Sequence, residues 1–445
     1  MCAVSSEDAN GSVRPTVRAK RRHIFAATLG NALEFYDFIT YSFFAIQIGH
    51  AFFPSKNAFA SLMLSLATFG AGFLTRPIGG IVIGGYADRA GRRAAMTLSF
   101  ALIGASVAAM ALIPTYAQIG AAAPVLAVVA RMVQGFSLGG EVGPNTAYLL
   151  EGAAPYRRGL VVAWQGASQS IASVVGALVG VGLAAVLSHA ALESFGWRIA
   201  FLLGAVTVPF GLILRRTMPE TLQAPERRDD TQAKAGNGFV LLRQHRRILV
   251  LGLMVVGGGT VSTYVTNYMT TFAQGPLHMK PEIAFAATLV PNAAGLVALL
   301  FGGWLSDRLG RRPVMIWPNV IHVLITLPIF YWIVTARNAQ ALLGGMAVLS
   351  FISSMAYGPF YAALSESLPM RVRGRGFATV YASAIALFGG TTQLMITWLI
   401  HLTGSAMAPG AYLLAANSMG LFAMTLMRES APVHLGPVAL TPAAP

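Results

Sequence analysis

Two acidic residues three positions apart, Glu34 and Asp37, sit inside the apolar run of residues 22–51. An ionised carboxylate near the centre of a bilayer costs at least ~2.5 kcal/mol on insertion scales, so such residues read by default as working parts. Three more charges fall inside other apolar runs: Arg76, Arg131 and Glu141. The chemistry open to this set is proton transfer. A carboxylate in a partly dry cavity takes a proton readily, and a nearby guanidinium holds it ionised. An anion that draws the guanidinium away frees the acid to be protonated. On this reading Glu34 and Asp37 are the proton-carrying acids, Glu141 belongs to the same set, and Arg131 is the switchable partner. Arg76 is the candidate for a bound carboxylate, because a guanidinium meets a carboxylate through paired hydrogen bonds.

The elements that must hold these groups are membrane helices. The chain has 445 residues, 55% hydrophobic and 11% charged, with a mean hydropathy of +0.63. Apolar stretches near twenty residues, the length that crosses ~30 Å of hydrocarbon, recur along it. Twelve spans are expected, at 22–51, 58–86, 95–113, 124–149, 160–187, 197–214, 247–273, 283–305, 314–334, 340–365, 376–401 and 409–427. The net charge of +15 is a topology signal, not a nucleic-acid footprint. Twenty-five Lys and Arg flank the spans on one side, whereas Lys56, Lys280, Arg337 and Arg198 lie on the other. Positive residues mark the cytoplasmic face, so both termini are expected inside. The polar first 22 residues have no apolar core and do not read as a signal peptide. The single cysteine, Cys2, permits no intrachain disulfide and no cysteine metal site. The expected organisation is a cytoplasmic tail (1–21), a six-helix bundle (22–214), a charged cytoplasmic linker (215–246), a second six-helix bundle (247–427) and a cytoplasmic tail (428–445).

Depth along the helices, at 1.5 Å per residue, groups the polar positions. Glu34 and Asp37 share a face. Arg131, Gln134, Leu138 and Glu141 form one stripe on span 4. Glu34, Arg76 and Glu141 are expected to meet at one depth, with Arg131 higher and beside Asp37. Spans 7 to 12 carry no Asp, Glu, Lys or Arg away from their ends. They offer neutral stripes instead: Tyr264, Asn267 and Tyr268 on span 7, and Ser350, Ser354, Tyr357 and Tyr361 on span 10. Gln165, Ser168 and Gln169 on span 5 add donors suited to a polyanion. The plainer alternatives stay open. The deep charges also read as an ion-pair network that only fixes helix packing, and the Tyr and Ser stripes as interhelical glue. Gly176 and Gly180 read as helix contacts, and His322 and His401 are not expected to relay protons.

The halves repeat. "GGYADRAGRR" (84–93) follows span 2 and "GGWLSDRLGRR" (302–312) follows span 8, while Glu151 and Glu366 mark the ends of spans 4 and 10. Asp88 and Asp307 are 219 residues apart, Glu151 and Glu366 215. A duplicated six-helix unit is a transporter architecture, with its site between the halves near the midplane. These G-x-x-x-D-R-x-G-R-R loops resemble the signature of the major facilitator superfamily, and "ARMVQGFSLGGE" (130–141) is similar to its span-4 pattern. "GNALEFYDF", "FLTRPIGG" (73–80), "RMVQGFSLGGE" and "WRIAFLLG" (197–204) resemble the metabolite:proton symporter family. "AWQGASQSIASVVGALVG" (163–180) and "AYLLEGA" look closest to its citrate and tricarballylate branch. In "NYMTTF" (267–272) Thr270 stands where many members carry proline.

The resemblance implies an all-α membrane protein with twelve transmembrane helices in two pseudo-symmetric bundles. Spans 1, 4, 7 and 10 would surround the cavity, with spans 3, 6, 9 and 12 outside. It implies proton-coupled uptake of a tricarboxylate, citrate, across a bacterial inner membrane by a monomer embedded in the lipid bilayer. Loop charges would latch the cytoplasmic side: Asp88, Arg89, Arg92, Glu151, Asp307, Arg308, Arg311 and Glu366. The partners are then a small organic anion and protons, with no nucleic acid. No cofactor is implied, and the phosphate loop "G-x-x-x-x-G-K-[ST]" is absent. Other cargoes remain open: a dicarboxylate, a shikimate-like acid, or an osmolyte such as proline or betaine. The short, proline-rich stretch 428–445, without heptads, counts against the osmolyte branch. A membrane enzyme or a non-transporting sensor is the remote alternative, with no His or Cys cluster behind it.

Overall fold

The computed structural model describes residues 21–139 apart from Gly91, then Leu149, 153–206, 246–368 and 373–431, and a strand pair of two residues each, Ser6–Glu7 with Val13–Arg14. Glu141, Glu151 and most of the expected linker lie outside these residues. So do the side chains of Glu34, Asp88, Arg89 and Arg92.

All twelve expected spans are helical among the described residues. Span 1 is Arg21–Phe43 continued by Ala45–Phe52, and span 2 is Ala58–Leu74 continued by Arg76–Ala90. Span 3 is Arg92–Leu112, span 4 contains Ala122–Leu138, span 5 is Arg158–Val186, and span 6 is described over 197–206. In the second half span 7 is Arg246–Gln274, span 8 Pro281–Leu309 and span 9 Arg311–Ala336. Span 10 is Ala339–Tyr357 with Phe360–Glu366. Span 11 runs from Arg373–Ala384 through a π-helical turn at Ile385–Gly389 to Thr392–Thr403, and span 12 is Ala408–Leu426.

Local chemistry sets the ends and the breaks. Asn57 Oδ1 accepts from Phe59 N at 3.0 Å to open span 2, and Asn338 Oδ1 accepts from Ala341 N at 2.8 Å to open span 10. Pro281 starts span 8, where a missing N–H costs nothing. The turn between spans 8 and 9 is a single residue, Gly310, at φ 99°, a conformation open to glycine and strained for other residues. Span 2 breaks at Thr75 because Pro77 lacks the N–H that would bond to the Phe73 carbonyl. That break points Arg76 inward.

Polarity is inside-out, as a lipid-facing helix requires. Span 9 exposes Trp317, Ile321 and Leu324 while burying Asn319, His322 and Thr326 on the opposite face. Within the first half, spans 2 and 4 touch backbone to backbone. A Cβ added to Gly135 would lie 1.6 Å from the Gly72 carbonyl oxygen, and one on Gly79 1.7 Å from that of Phe136. Small residues permit this approach in a membrane. Gly135→Ala is therefore expected to cost on the order of 1–3 kcal/mol by overpacking, seen as a lower Tm in detergent. An unchanged Tm would mean the crossing can widen without penalty.

The halves meet along two seams, span 5 on span 8 and span 2 on span 11. A Cβ on Gly180 would meet the Phe285 ring at 2.3 Å, and one on Gly70 the Gly390 carbonyl oxygen at 2.8 Å. They also touch at both ends of the bundle. At one end Phe59 stacks on His401 with centroids 3.8 Å apart, and Gln47 Nε2 donates to Gln274 Oε1 at 3.2 Å. At the other end Asp307 on span 8 accepts from the backbone of span 5.

Candidate functional site

The Phe38 ring on span 1 is flanked by two buried guanidiniums. The Arg76 and Arg131 Cζ atoms each lie 4.3 Å from its centroid, so they can be no farther apart than twice that. Arg76 also lies 4.5 Å from the Phe73 ring, and Arg131 4.6 Å from that of Tyr41. Aromatic faces stabilise a buried cation without using its N–H donors. Those donors are largely unspent. Arg131 donates to Gln134 Oε1 one turn along span 4, but Nε and Nη2 of both arginines have no hydrogen-bond partner among the described residues. Buried donors left open in this way are rare and point to a ligand.

Asp37, 1% exposed, adjoins this pair but faces span 6. A Cβ on Gly204 would fall 1.7 Å from Asp37 Oδ1, and the preceding Tyr36 Oη donates to the Ala200 carbonyl at 3.1 Å. Among the described residues Asp37 Oδ1 has no hydrogen-bond partner, although Arg131 lies within electrostatic reach. Span 6 was expected to stay outside; instead its glycine forms one wall of the acid's site.

Between span 5 and the helices of the second half lies a cavity of about 100 Å³, room for several waters. Tyr264, Tyr357 and Tyr361 line it together with Ser350, Ser354 and Gln169. Tyr357 Oη donates to Asn417 Oδ1 at 3.0 Å, and Gln169 Nε2 to Tyr381 Oη at 2.8 Å across the halves. Tyr264 joins the cavity to the arginines: its ring packs edge-on to Phe73 at 5.5 Å, and Arg76 lies within electrostatic reach of Tyr264 and Tyr381. Other expected site residues hydrogen-bond to neighbouring helices. Asn267 Oδ1 accepts from Asn292, and Tyr268 Oη accepts from Thr397 at 2.9 Å inside an apolar cluster. Ser168 Oγ accepts from Asn31 and donates to the Gln165 carbonyl at 2.6 Å, tying span 5 to span 1.

Comparison with known proteins fits this geometry. The description "Major Facilitator Superfamily" matches residues 27–391. The chain belongs to that superfamily. It is 39% identical over 410 residues to the citrate-proton symporter of Klebsiella pneumoniae, covering 92% of each chain. It is 37% identical over 408 residues to that of Salmonella typhi, covering 91% of this chain and 93% of the relative. Among solved structures a D-xylose-proton symporter superposes with a TM-score of 0.74 at 20% identity, covering 92% of this chain and 97% of the other, which fixes the fold. This facilitator is thus a multi-pass protein of the bacterial inner membrane, and its relatives are transporters, not enzymes.

The loop charges of this facilitator split into two groups. Asp307 accepts from Gly159 N at 2.8 Å, Leu160 N at 2.9 Å and Arg311 Nη1 at 2.8 Å. Arg311 holds Glu366 in a fork, Nε to Oε2 at 3.2 Å and Nη2 to Oε1 at 3.1 Å. Arg308 is not part of this cluster; it points outward and lies 4.2 Å over the Trp304 ring. Sequence reasoning missed Glu429, whose carboxylate accepts from Arg311 N at 2.8 Å and Arg312 N at 2.9 Å and so caps span 9. It also missed Tyr381, Asn417 and Asn31, polar residues inside apolar helices whose facing only the packing reveals.

Burial opposes the charge on Glu429, but backbone N–H groups of Ala431, Arg311, Arg312 and Ser430 outweigh it and hold the carboxyl below its ordinary pKa. A depressed carboxylate contributes at neutral pH and loses that contribution as pH falls through the lowered value. Glu429→Gln at neutral pH should therefore speed amide hydrogen exchange at Arg311 and Arg312 by about tenfold, the weight of a charged hydrogen bond. Acidification of the wild type should do the same after correction for intrinsic rates. Unaltered protection would mean the cap adds nothing to the turn.

Proposed function

We propose that this chain takes up a tricarboxylate, citrate, together with protons, by alternating access between its two halves. The observation that carries the reading is the pair of buried guanidiniums beside Phe38, whose Nε and Nη2 donors have no partner among the described residues. A polycarboxylate is the ligand class that such donors fit. The extensive identity with citrate-proton symporters supports the same cargo. In this reading Arg76 and Arg131 receive two carboxylates, with Gln134, Gln169 and the cavity tyrosines as further donors. Asp37 carries a proton, joined by Glu34 and Glu141, and Asp307 with Arg311 and Glu366 latches one end. The carrier acts as a monomer in the lipid bilayer. The charge bias puts both termini in the cytoplasm and makes 215–246 the linker between bundles.

Radiolabelled citrate uptake into proteoliposomes, with and without an inward proton gradient, tests this. Gradient-dependent uptake displaced by unlabelled tricarballylate, and not by proline or betaine, is the expected result. Displacement by a dicarboxylate alone would move the cargo to that class; no uptake by folded protein would remove citrate. Arg76→Lys should weaken citrate binding at least ~tenfold, because a compact ammonium cannot match a forked guanidinium. An unchanged Kd by calorimetry would reassign Arg76 to packing.

A further inference from the structure

Spans 7 to 12 hold no Asp, Glu, Lys or Arg away from their ends. The cavity they line together with span 5 nonetheless contains one side chain, among the described residues, able to gain positive charge: His322. It lies mid-way along span 9, on the inward face with Asn319 and Thr326, and is 1% exposed. Its Nδ1 has no hydrogen-bond partner among the described residues. A histidine kept only to fill space would be expected to have its ring nitrogens satisfied. This imidazole instead leaves a buried polar atom open beside a cavity walled by hydroxyl groups.

The groups around that cavity would not hold an imidazolium by themselves. Span 5 brings Gln169, Ser170 and Ser173, span 7 Tyr264, span 10 Tyr357 and Tyr361, and span 11 Tyr381, while spans 8 and 12 bring Asn292 and Leu413. None is a carboxylate. A charge without a counter-ion in such a place is strongly disfavoured, so the ring is neutral until an anion arrives. An arriving carboxylate reverses the balance, since an opposite charge within a few ångströms favours the protonated ring. Charge counting points the same way. A tricarboxylate brings three negative charges, and the two described arginines beside Phe38 answer two of them.

We propose that His322 is a substrate-linked proton acceptor: the imidazole takes up one proton as the anion enters and becomes the cation that receives it in the second half. This rests on the anionic-substrate reading above. The half without fixed charge thereby acquires one only when loaded, and loses it on release. A carrier built so can reorient unloaded without an uncompensated cation in its second half.

Calorimetry of citrate binding to purified protein, in buffers of different ionisation enthalpy, counts the protons taken up. His322→Gln is expected to take up about one proton fewer than wild type at pH 7.5. The wild-type affinity should weaken more steeply with rising pH, by up to ~tenfold per unit, than that of the variant. Equal proton counts in the two proteins, with citrate bound by both, overturn the inference and leave the anionic substrate standing. No citrate binding by folded wild-type protein overturns both. If His322→Gln does not fold or bind, wild-type protein labelled with 15N-histidine decides the matter. Citrate should convert one imidazole signal, shielded from an aqueous paramagnetic agent, to the doubly protonated form. No such conversion overturns the proposal.

Discussion

Replacement of Asp37 by Asn is expected to reduce gradient-driven uptake to the level of protein-free liposomes while leaving citrate counterflow intact. Asp37 is 1% exposed, and its Oδ1 rests against the Gly204 backbone with no hydrogen-bond partner among the described residues. No described cation forms an ion pair with it; Arg131 acts on it through space. An acid so placed changes protonation when the field of its neighbour changes. In the proposed reading, that field changes when substrate takes up the open Arg131 donors. Asparagine has the size and shape of the protonated acid, so it fits beside Gly204 and mimics the loaded state permanently. Exchange of citrate for citrate needs only the loaded states and should survive. Net uptake needs the acid to release its proton and should not. Wild-type-like net uptake by Asp37→Asn would remove Asp37 from the proton path and leave Glu34 and Glu141 to carry it.

Much of the architecture was legible because membrane helices announce themselves by length and polarity. Apolar runs put the spans within a few residues of the described helix ends, with the later parts of spans 4 and 6 outside the described residues, whereas the break that Pro77 makes beside Arg76 was not read. The short-range stripe on span 4 was also readable, since Arg131 and Gln134 lie one turn apart and hydrogen-bond. The limits appear wherever a contact joins distant segments. Nothing in the sequence around Asp37 says that it faces Gly204, 167 positions on, because each residue satisfies its own helix either way. Of Tyr264, Asn267 and Tyr268 on span 7, Tyr264 lines the cavity, whereas Tyr268 bonds to Thr397 and Asn267 to Asn292. The polar faces of spans 9 and 12 were passed over because outer helices are expected to be plain. Asn319 Nδ2 instead donates to the Asn417 carbonyl at 3.3 Å, and the Asn417 side chain bonds to Ser262 and Tyr357, which line the cavity together with His322.

Asp307→Ala is expected to open one end of the bundle. Gly159 and Leu160 lie in the first turn of span 5, where backbone N–H groups have no partner within the helix and carry its positive dipole end. Asp307, from the opposite half, accepts both, at 2.8 and 2.9 Å. The approach depends on Gly159, since a Cβ there would lie 2.3 Å from Arg311 Nη1 and 2.5 Å from the Gly303 carbonyl oxygen. Two hydrogen bonds to a charged acceptor contribute roughly 3 kcal/mol together, each at about 1.5 kcal/mol, the low end of its range. They exist only while this end is closed, so their loss shifts the closed–open balance by about a hundredfold. Arg311 keeps its fork to Glu366 and its bond to Ser306 Oγ, so the second half itself should hold together. A cysteine placed at cavity-lining Ser170, with Cys2 replaced, reports the opening. Its modification by an impermeant thiol reagent from the Asp307 side should accelerate by up to that factor, with Tm nearly unchanged. Gly159→Val should accelerate it as well, by steric wedging with the carboxylate intact. Acceleration in the valine variant alone would show that the seam closes on shape and that the charge on Asp307 adds nothing to it.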